Sequence, residues 1–417
     1  MDLYLKNVTY IDWKSFGFKQ GHLRISAAVN GDIEFVNTVP ADSYDCRGKL
    51  VTKSFACGHH HAYSALARGM PPPLKQPYNF KEILEYVWWN LDKKLDADSI
   101  RASALVTAIN CAKNGVTFVI DHHASPFAIN GSLNLIADAF GTIGINHLLC
   151  YEISDRDGDL AREEGLEETE AYLKKYQGLV GLHASFTVEN KLLKSAVDLA
   201  RKYDSGIHIH VAEDNVDQEL CQEKYAKRVI ERLSASGALD FKKTILAHCI
   251  HLDDNERRLL KESEAWIAVN TESNLNNHVG LFSNGGGLED KVFLGTDGMH
   301  SDMIRSAQVN FFNHKDNDHL SFADGYRRFR RVHDYISANG FSGDLANNLV
   351  ILDYKSPTPV TADNWLGHFF YGLNSSDVDS VIANGRWVLK EKKMVNIDEE
   401  EILDFANAQA VRLWDKL

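Results

Sequence analysis

The chain has 417 residues, 44% hydrophobic and 25% charged, the composition of a globular protein with a large core. Lys+Arg number 45 against Asp+Glu 58, a net charge of −13 that argues against nucleic acid or an anionic membrane as main partner. No run approaches the roughly 20 apolar residues needed to cross a bilayer. The start, MDLYLKNVTYIDW, lacks a signal-peptide pattern, and the six cysteines lack CxxC spacing, so the expected compartment is the reducing cytoplasm.

The first fifty residues hold short β-like runs, LRISAAV and GDIEFVN, separated by turn residues. From about Leu50 to Asp297, short apolar runs alternate with longer amphipathic stretches. The runs are LVTKSFAC, VTFVID, INHLLCY, LVGLHAS, IHIHVA, TILAHC, AWIAVN and KVFLGT. Near-continuous apolarity over so few residues predicts strands buried on both faces. Between them lie helical stretches such as SIRASALVTAINCAKNG, apolar at three- and four-residue spacing and closed by glycine. Repeated strand–helix alternation predicts an α/β fold, a (β/α)8 TIM-type barrel over residues 50–345. The rival is an open doubly wound sheet, but the glycine-rich phosphate turn common after its first strand is not found.

Beyond the barrel, the helical segment YRRFRRVHDYI is expected to hold its arginines on a solvated face. β character returns in NLVILDY, SVIANG and RWVLKEKKMV. Residues 1–49 and 346–400 are therefore expected to pair as a small β-sandwich domain built from both chain ends. Residues 401–417 form a C-terminal helix with acids at its start, where the helix dipole favours them.

The polar residues fall where a barrel places its chemistry, at the C-terminal strand ends. The first strand ends in Gly58-His59-His60-His61, and alternation points His59 and His61 toward the mouth and His60 away. The fifth ends in His208-Ile209-His210-Val211-Ala212-Glu213, the sixth in Ala247-His248-Cys249, the eighth in Gly295-Thr296-Asp297-Gly298. A lone HxH is weak evidence, since most histidines are surface or hydrogen-bonded core residues. Imidazoles and a carboxylate converging from separate strands suit a borderline cation such as zinc or iron.

HxH on the first strand, HxxE after the fifth, His on the sixth and TDG on the eighth resemble the amidohydrolase superfamily. The resemblance is nearest to its branch of cytosine deaminases, guanine deaminases and chlorohydrolases. The stretches YSALARGM, VWWNLDKKLD, DHHASP, GLHASFT, HVAEDNVDQ, AHCIHLDDNE and DYKSPTPVTADN resemble the SsnA-type aminohydrolases, a group linked by association to purine catabolism. The resemblance implies His59, His61, His210 and Asp297 as metal ligands, Glu213 as proton shuttle, and His248 and Asp297 as further catalytic groups. It implies one divalent ion per subunit, zinc first and iron second. The lysine that bridges two metals in binuclear relatives has no counterpart in the fourth strand end, Leu182-His183-Ala184-Ser185. The chain departs from the family pattern at Ser54-Phe55, where a Pro-Gly is frequent, and at Asn270-Thr271-Glu272-Ser273-Asn274.

The candidate substrate-binding residues are Arg68, Trp88, His123 and His183. For Arg68 the alternative is a loop salt bridge, and for Trp88 core packing. His208 is expected one layer below His210 as a supporting residue. The resulting expectation is hydrolytic deamination of a purine-like base, with a small heterocyclic substrate and, from the resemblance alone, a homodimer. Ring opening of a cyclic amide or amidine uses the same machinery. A non-catalytic barrel scaffold is the reading from another class, and the complete ligand set weighs against it.

Overall fold

The computed structural model describes residues 1–28, 31–285 and 287–417. Eight parallel strands form the barrel wall: Phe55–His60, Val116–His123, Asn146–Tyr151, Val180–Ala184, Ile207–Val211, Ile245–His248, Trp266–Val269 and Val292–Leu294. The first three pair in one run and the last five in another. Parallel bridges Leu149–Gly178 and Ile153–Leu182 join the runs on one side, and His60–Asp297 closes the ring on the other. Most strand positions are buried, which is why the runs read as continuously apolar.

The helices between strands carry explicit ends. Helix Ala97–Lys113 starts at Asp96, whose carboxylate accepts the Ser99 N–H at 3.0 Å, and the Asp96 N–H donates to Ser99 Oγ at 2.8 Å. It stops at Asn114-Gly115, where Gly115 takes φ +77°, conformational space open mainly to glycine. No helix among the described residues is long and apolar enough to cross a membrane.

Strands from both chain ends join one nine-stranded sheet. Leu50–Lys53 lies at its middle, parallel to Leu3–Ile11 and antiparallel to Leu349–Leu352. The run LVTKSFAC, expected as one strand, therefore divides at Ser54: Leu50–Lys53 enters this sheet and Phe55–His60 the barrel. The Ser54 N–H donates to Asn348 O at 3.0 Å, and its hydroxyl lies 2.6 Å from Thr117 Oγ1.

Two of the four arginines of helix Phe322–Ala338 depart from expectation, while Arg327 is exposed as expected. Arg328 and Arg330 are buried, not solvated. Arg330 Nη1 donates to Lys53 O at 3.1 Å and Ser54 O at 2.8 Å, so it ties the helix to the junction between sheet and barrel. Its guanidinium also lies 4.9 Å from the Phe55 ring centroid. Arg328 Nη2 donates to Asp318 Oδ2 at 3.1 Å and Glu289 Oε2 at 2.5 Å. A planar fork of donors satisfies such buried acceptors where water does not reach. The C-terminal helix, Glu399–Trp414, is anchored by Trp414 Nε1 donating to Leu66 O at 2.8 Å.

Candidate active site

The first strand delivers His59 and His61 to the barrel mouth, while His60 turns the other way, its Nε2 3.1 Å from Ser301 Oγ. His61 Nε2 lies 2.9 Å from Asp297 Oδ1 and 3.1 Å from His210 Nε2, and His59 Nε2 lies 3.3 Å from the same Asp297 oxygen. Ligand atoms of His59, His210, His248 and Asp297 all fall within 4.8 Å of one another.

The far side of each ring explains why these nitrogens face inward. His61 Nδ1–H donates to His122 O at 2.6 Å, and His210 Nδ1–H to His183 O at 2.8 Å. His248 Nδ1–H donates to Asn274 Oδ1 at 2.8 Å, and His59 Nδ1 meets His208 Nε2 at 2.9 Å. With these tautomers, assigned from the hydrogen-bond network, each Nε2 presents a lone pair to the centre. His59 Nε2 and His248 Nε2 are buried with no hydrogen-bond partner. Two Zn–N bonds of about 2.0–2.1 Å at a tetrahedral angle place their nitrogens about 3.3 Å apart, close to the His61–His210 spacing. The donor set therefore fits a divalent ion.

The backbone is bent to aim these groups. Ala212, His248 and Asp297 have φ of 45°, 73° and 54°, left-handed values that cost non-glycine residues about 1–3 kcal/mol each. Gly295 allows the eighth strand to approach the first: a Cβ there would lie 2.4 Å from Asn270 Oδ1 and 2.7 Å from His59 O.

Two carboxyl groups stand in opposite electrostatic conditions. Burial raises the Glu213 pKa, an effect that His248 only partly offsets and the Asp297 charge reinforces. Its Oε2 lies 3.4 Å from His248 Nε2, and Asn277 Nδ2 donates to Oε1 at 3.4 Å. Burial also disfavours the Asp297 carboxylate, but the His59 and His61 imidazoles, 3.3 and 2.9 Å from its Oδ1, outweigh it and hold the group well below the usual range. Ser273 Oγ donates to Asp297 Oδ2 at 2.5 Å.

These groups open into a cavity at the barrel mouth. Phe80, Leu84, Trp88 and Trp89 supply apolar walls, and His183 and Glu152 supply polar ones. Trp88 and His183, two of the candidate substrate-binding residues, line this cavity. Arg68 does not line this cavity; it is exposed beside a neighbouring recess with His60 and His300. His123 is also outside: its Nε2 lies 2.9 Å from Ser125 Oγ, and its ring packs between Tyr63 and Tyr151.

Sequence reasoning passed over His122, Glu152 and Asn277, and named Ser273 only within a departure from the family pattern. Pairing explains His122: His60 and Asp121 are partners in adjacent parallel strands and share a face, so His122 faces inward with His61. Glu152 had a signal, an acid just past the apolar run INHLLCY, the same pattern that identified Glu213.

The chain belongs to the amidohydrolase family, whose model matches residues 50–330. Among individual proteins, it is 29% identical over 376 residues to the 5'-deoxyadenosine deaminase of Methanopyrus kandleri, covering 85% of this chain and 84% of that one. It is 26% identical over 405 residues to the 5-methylthioadenosine/S-adenosylhomocysteine deaminase of Syntrophomonas wolfei subsp. wolfei, covering 89% of each. The crystal structure of an adenosine deaminase from Xanthomonas campestris with bound zinc superposes with TM-score 0.84 at 17% identity, covering 99% of this chain and 98% of that one.

Proposed function

We propose that this chain is a metal-dependent hydrolase that deaminates a purine-like base and releases ammonia. The observation that carries the reading is Glu213, a buried carboxyl with a raised pKa, set 3.4 Å from His248 beside the ion-facing donors. The names of the deaminase relatives support the same reaction, and the aromatic walls suit a flat ring.

His59, His61, His210 and Asp297 would hold one catalytic ion, with zinc the proposed metal. When bound, a divalent ion supplies Lewis acidity and lowers the pKa of water to about 7. Asp297, kept ionised by its imidazole neighbours, accepts the proton released by the attacking water, and Ser273 fixes its second oxygen. Glu213, kept protonated by burial, donates to the ring nitrogen next to the carbon under attack. His248, held by Asn274, orients the group that adds to that carbon. Trp88 and Trp89 supply apolar wall against the ring, and His183, anchored to Thr187 Oγ1 at 2.6 Å, offers its other nitrogen to the substrate.

The test is product analysis with adenine- and guanine-type bases and nucleosides. Stoichiometric ammonia and an oxo-purine are expected. Ring-opened product would favour cyclic amide or amidine hydrolysis, and no turnover of any aminated ring would overturn the proposal.

A further inference from the structure

Asp217 is a buried acid that the reaction outlined above leaves unused. It stands in the first turn of helix Asn215–Tyr225, where an acid ordinarily complements the helix dipole. Its carboxyl group does not serve that helix. Asp214 caps it, accepting the Val216 N–H at 2.9 Å. Asp217 reaches back to the barrel instead: Oδ2 accepts the Ala212 N–H at 2.9 Å and Oδ1 the Phe186 N–H at 3.1 Å. One side chain thus ties the end of the fifth strand to the residues that follow the fourth. Holding a carboxyl there is costly to the fold. Asp217 is 3% exposed, and burial pushes its pKa up to about 7 although both N–H groups pull it down.

The bond to Ala212 reaches the site. Ala212 joins Val211, the last residue of the fifth strand, to Glu213, and its φ of 45° is left-handed. Its carbonyl accepts the Ile250 and His251 N–H groups at 3.2 and 3.0 Å, so the loop after the sixth strand grips one side of the turn. The N–H bond to Asp217 grips the other. Without it the strained turn is free to relax toward the right-handed region, and rotation at Ala212 carries the Glu213 carboxyl away from His248 Nε2, 3.4 Å distant. The neighbouring groups have anchors of their own. His183 O holds the His210 ring at 2.8 Å, and Arg232 Nη1 holds Ser185 O at 2.8 Å. Glu213 itself accepts only the long 3.4 Å bond from Asn277, so its aim depends on its backbone.

We propose that Asp217 is a positioning residue for the proton shuttle: it fixes the left-handed turn at Ala212 and thereby aims the Glu213 carboxyl at the substrate ring. This inference rests on the role given to Glu213 above and adds a residue through which that role is built.

The experiment is a double-mutant cycle on the full-length, metal-loaded protein, with ammonia release at substrate saturation as the assay and metal content measured on every sample. Asp217→Asn keeps the side chain's shape and replaces one acceptor by a donor. Its kcat is expected to fall about 10- to 100-fold, as a displacement on the order of 1 Å near the reacting atoms costs, with metal content unchanged. In the Glu213→Gln background the same substitution is expected to cost less than about twofold, because the proton it positions is already gone. An equal loss in both backgrounds marks a merely structural role and overturns the proposal, as does a wild-type kcat in Asp217→Asn. Circular dichroism checks folding, and Asp217→Ser, whose hydroxyl is too short to span both N–H groups, gives the same comparison if the amide disturbs it. Full turnover by Glu213→Gln alone overturns the role of Glu213 and this inference with it. Uncoupled losses in the two single variants overturn this inference alone, so the two failures are distinguishable.

Discussion

Replacing Glu213 by Gln isolates proton transfer from the rest of the site. The amide keeps the side chain's length and still accepts from Asn277, but it carries no acidic proton. Glu213 is not among the proposed metal ligands, so metal content should stay at the wild-type level. General acid–base catalysis by a positioned side chain contributes about 10²–10⁴-fold, so kcat should fall by that factor, about 3–5 kcal/mol of barrier. Because the proposed role is on the reacting ring nitrogen and not on the walls that hold the ring, KM should change by less than about tenfold. The assay is ammonia release under substrate saturation, with metal measured on the same sample. A variant that retains its metal and turns over at the wild-type rate would refute the role given to Glu213.

Ser273→Ala removes the donor at 2.5 Å from Asp297 Oδ2; a lost hydrogen bond to a charged group costs about 1.5–3 kcal/mol, so kcat/KM should drop roughly 10- to 100-fold in steady-state kinetics. Gly295→Ala forces a methyl group against His59 O and Asn270 Oδ1; denaturant titration should show a loss of about 1–3 kcal/mol, accompanied by weaker metal retention. His333 gives a pH prediction at the junction below the barrel. Burial outweighs its bond to Asp344 at 2.7 Å and pushes its pKa from 6.5 down to about 4. Above pH 6.5 the ring is neutral in both states. As pH falls from 6.5 to 4, only the unfolded chain takes up the proton, and stability declines by about 3 kcal/mol across that window. Equilibrium unfolding at several pH values should show this slope in wild type and a flatter one in His333→Phe.

The barrel was legible because eight strands buried on both faces leave continuous apolar runs, and because the barrel architecture dictates which strand ends carry chemistry. His59, His61, His210, His248 and Asp297 were found by that logic, each at the end of such a run. Ser54 was not legible as a boundary, since one apolar run feeds two different sheets and only long-range pairing with Leu349–Leu352 separates them. Arg328 and Arg330 were misread because charge usually marks a wet face; their acceptors, Asp318, Glu289 and the carbonyls of Lys53 and Ser54, are remote in sequence or meet the helix only in the fold. Choosing His123 over His122 was a question of parity, set by the register of the second strand against the first. Arg68 follows His59 and His61 closely in sequence, yet the short helix Ala62–Ala67 carries it out to the surface.

The central claim is that the histidines and Asp297 at the barrel mouth hold an ion on which hydrolysis depends. The most direct measurement is turnover of an aminated purine by chelator-stripped protein as Zn²⁺ is added back. Stripped protein should be inactive, and activity should rise in proportion to the first equivalent bound. Full turnover by protein shown to contain no metal would contradict the account.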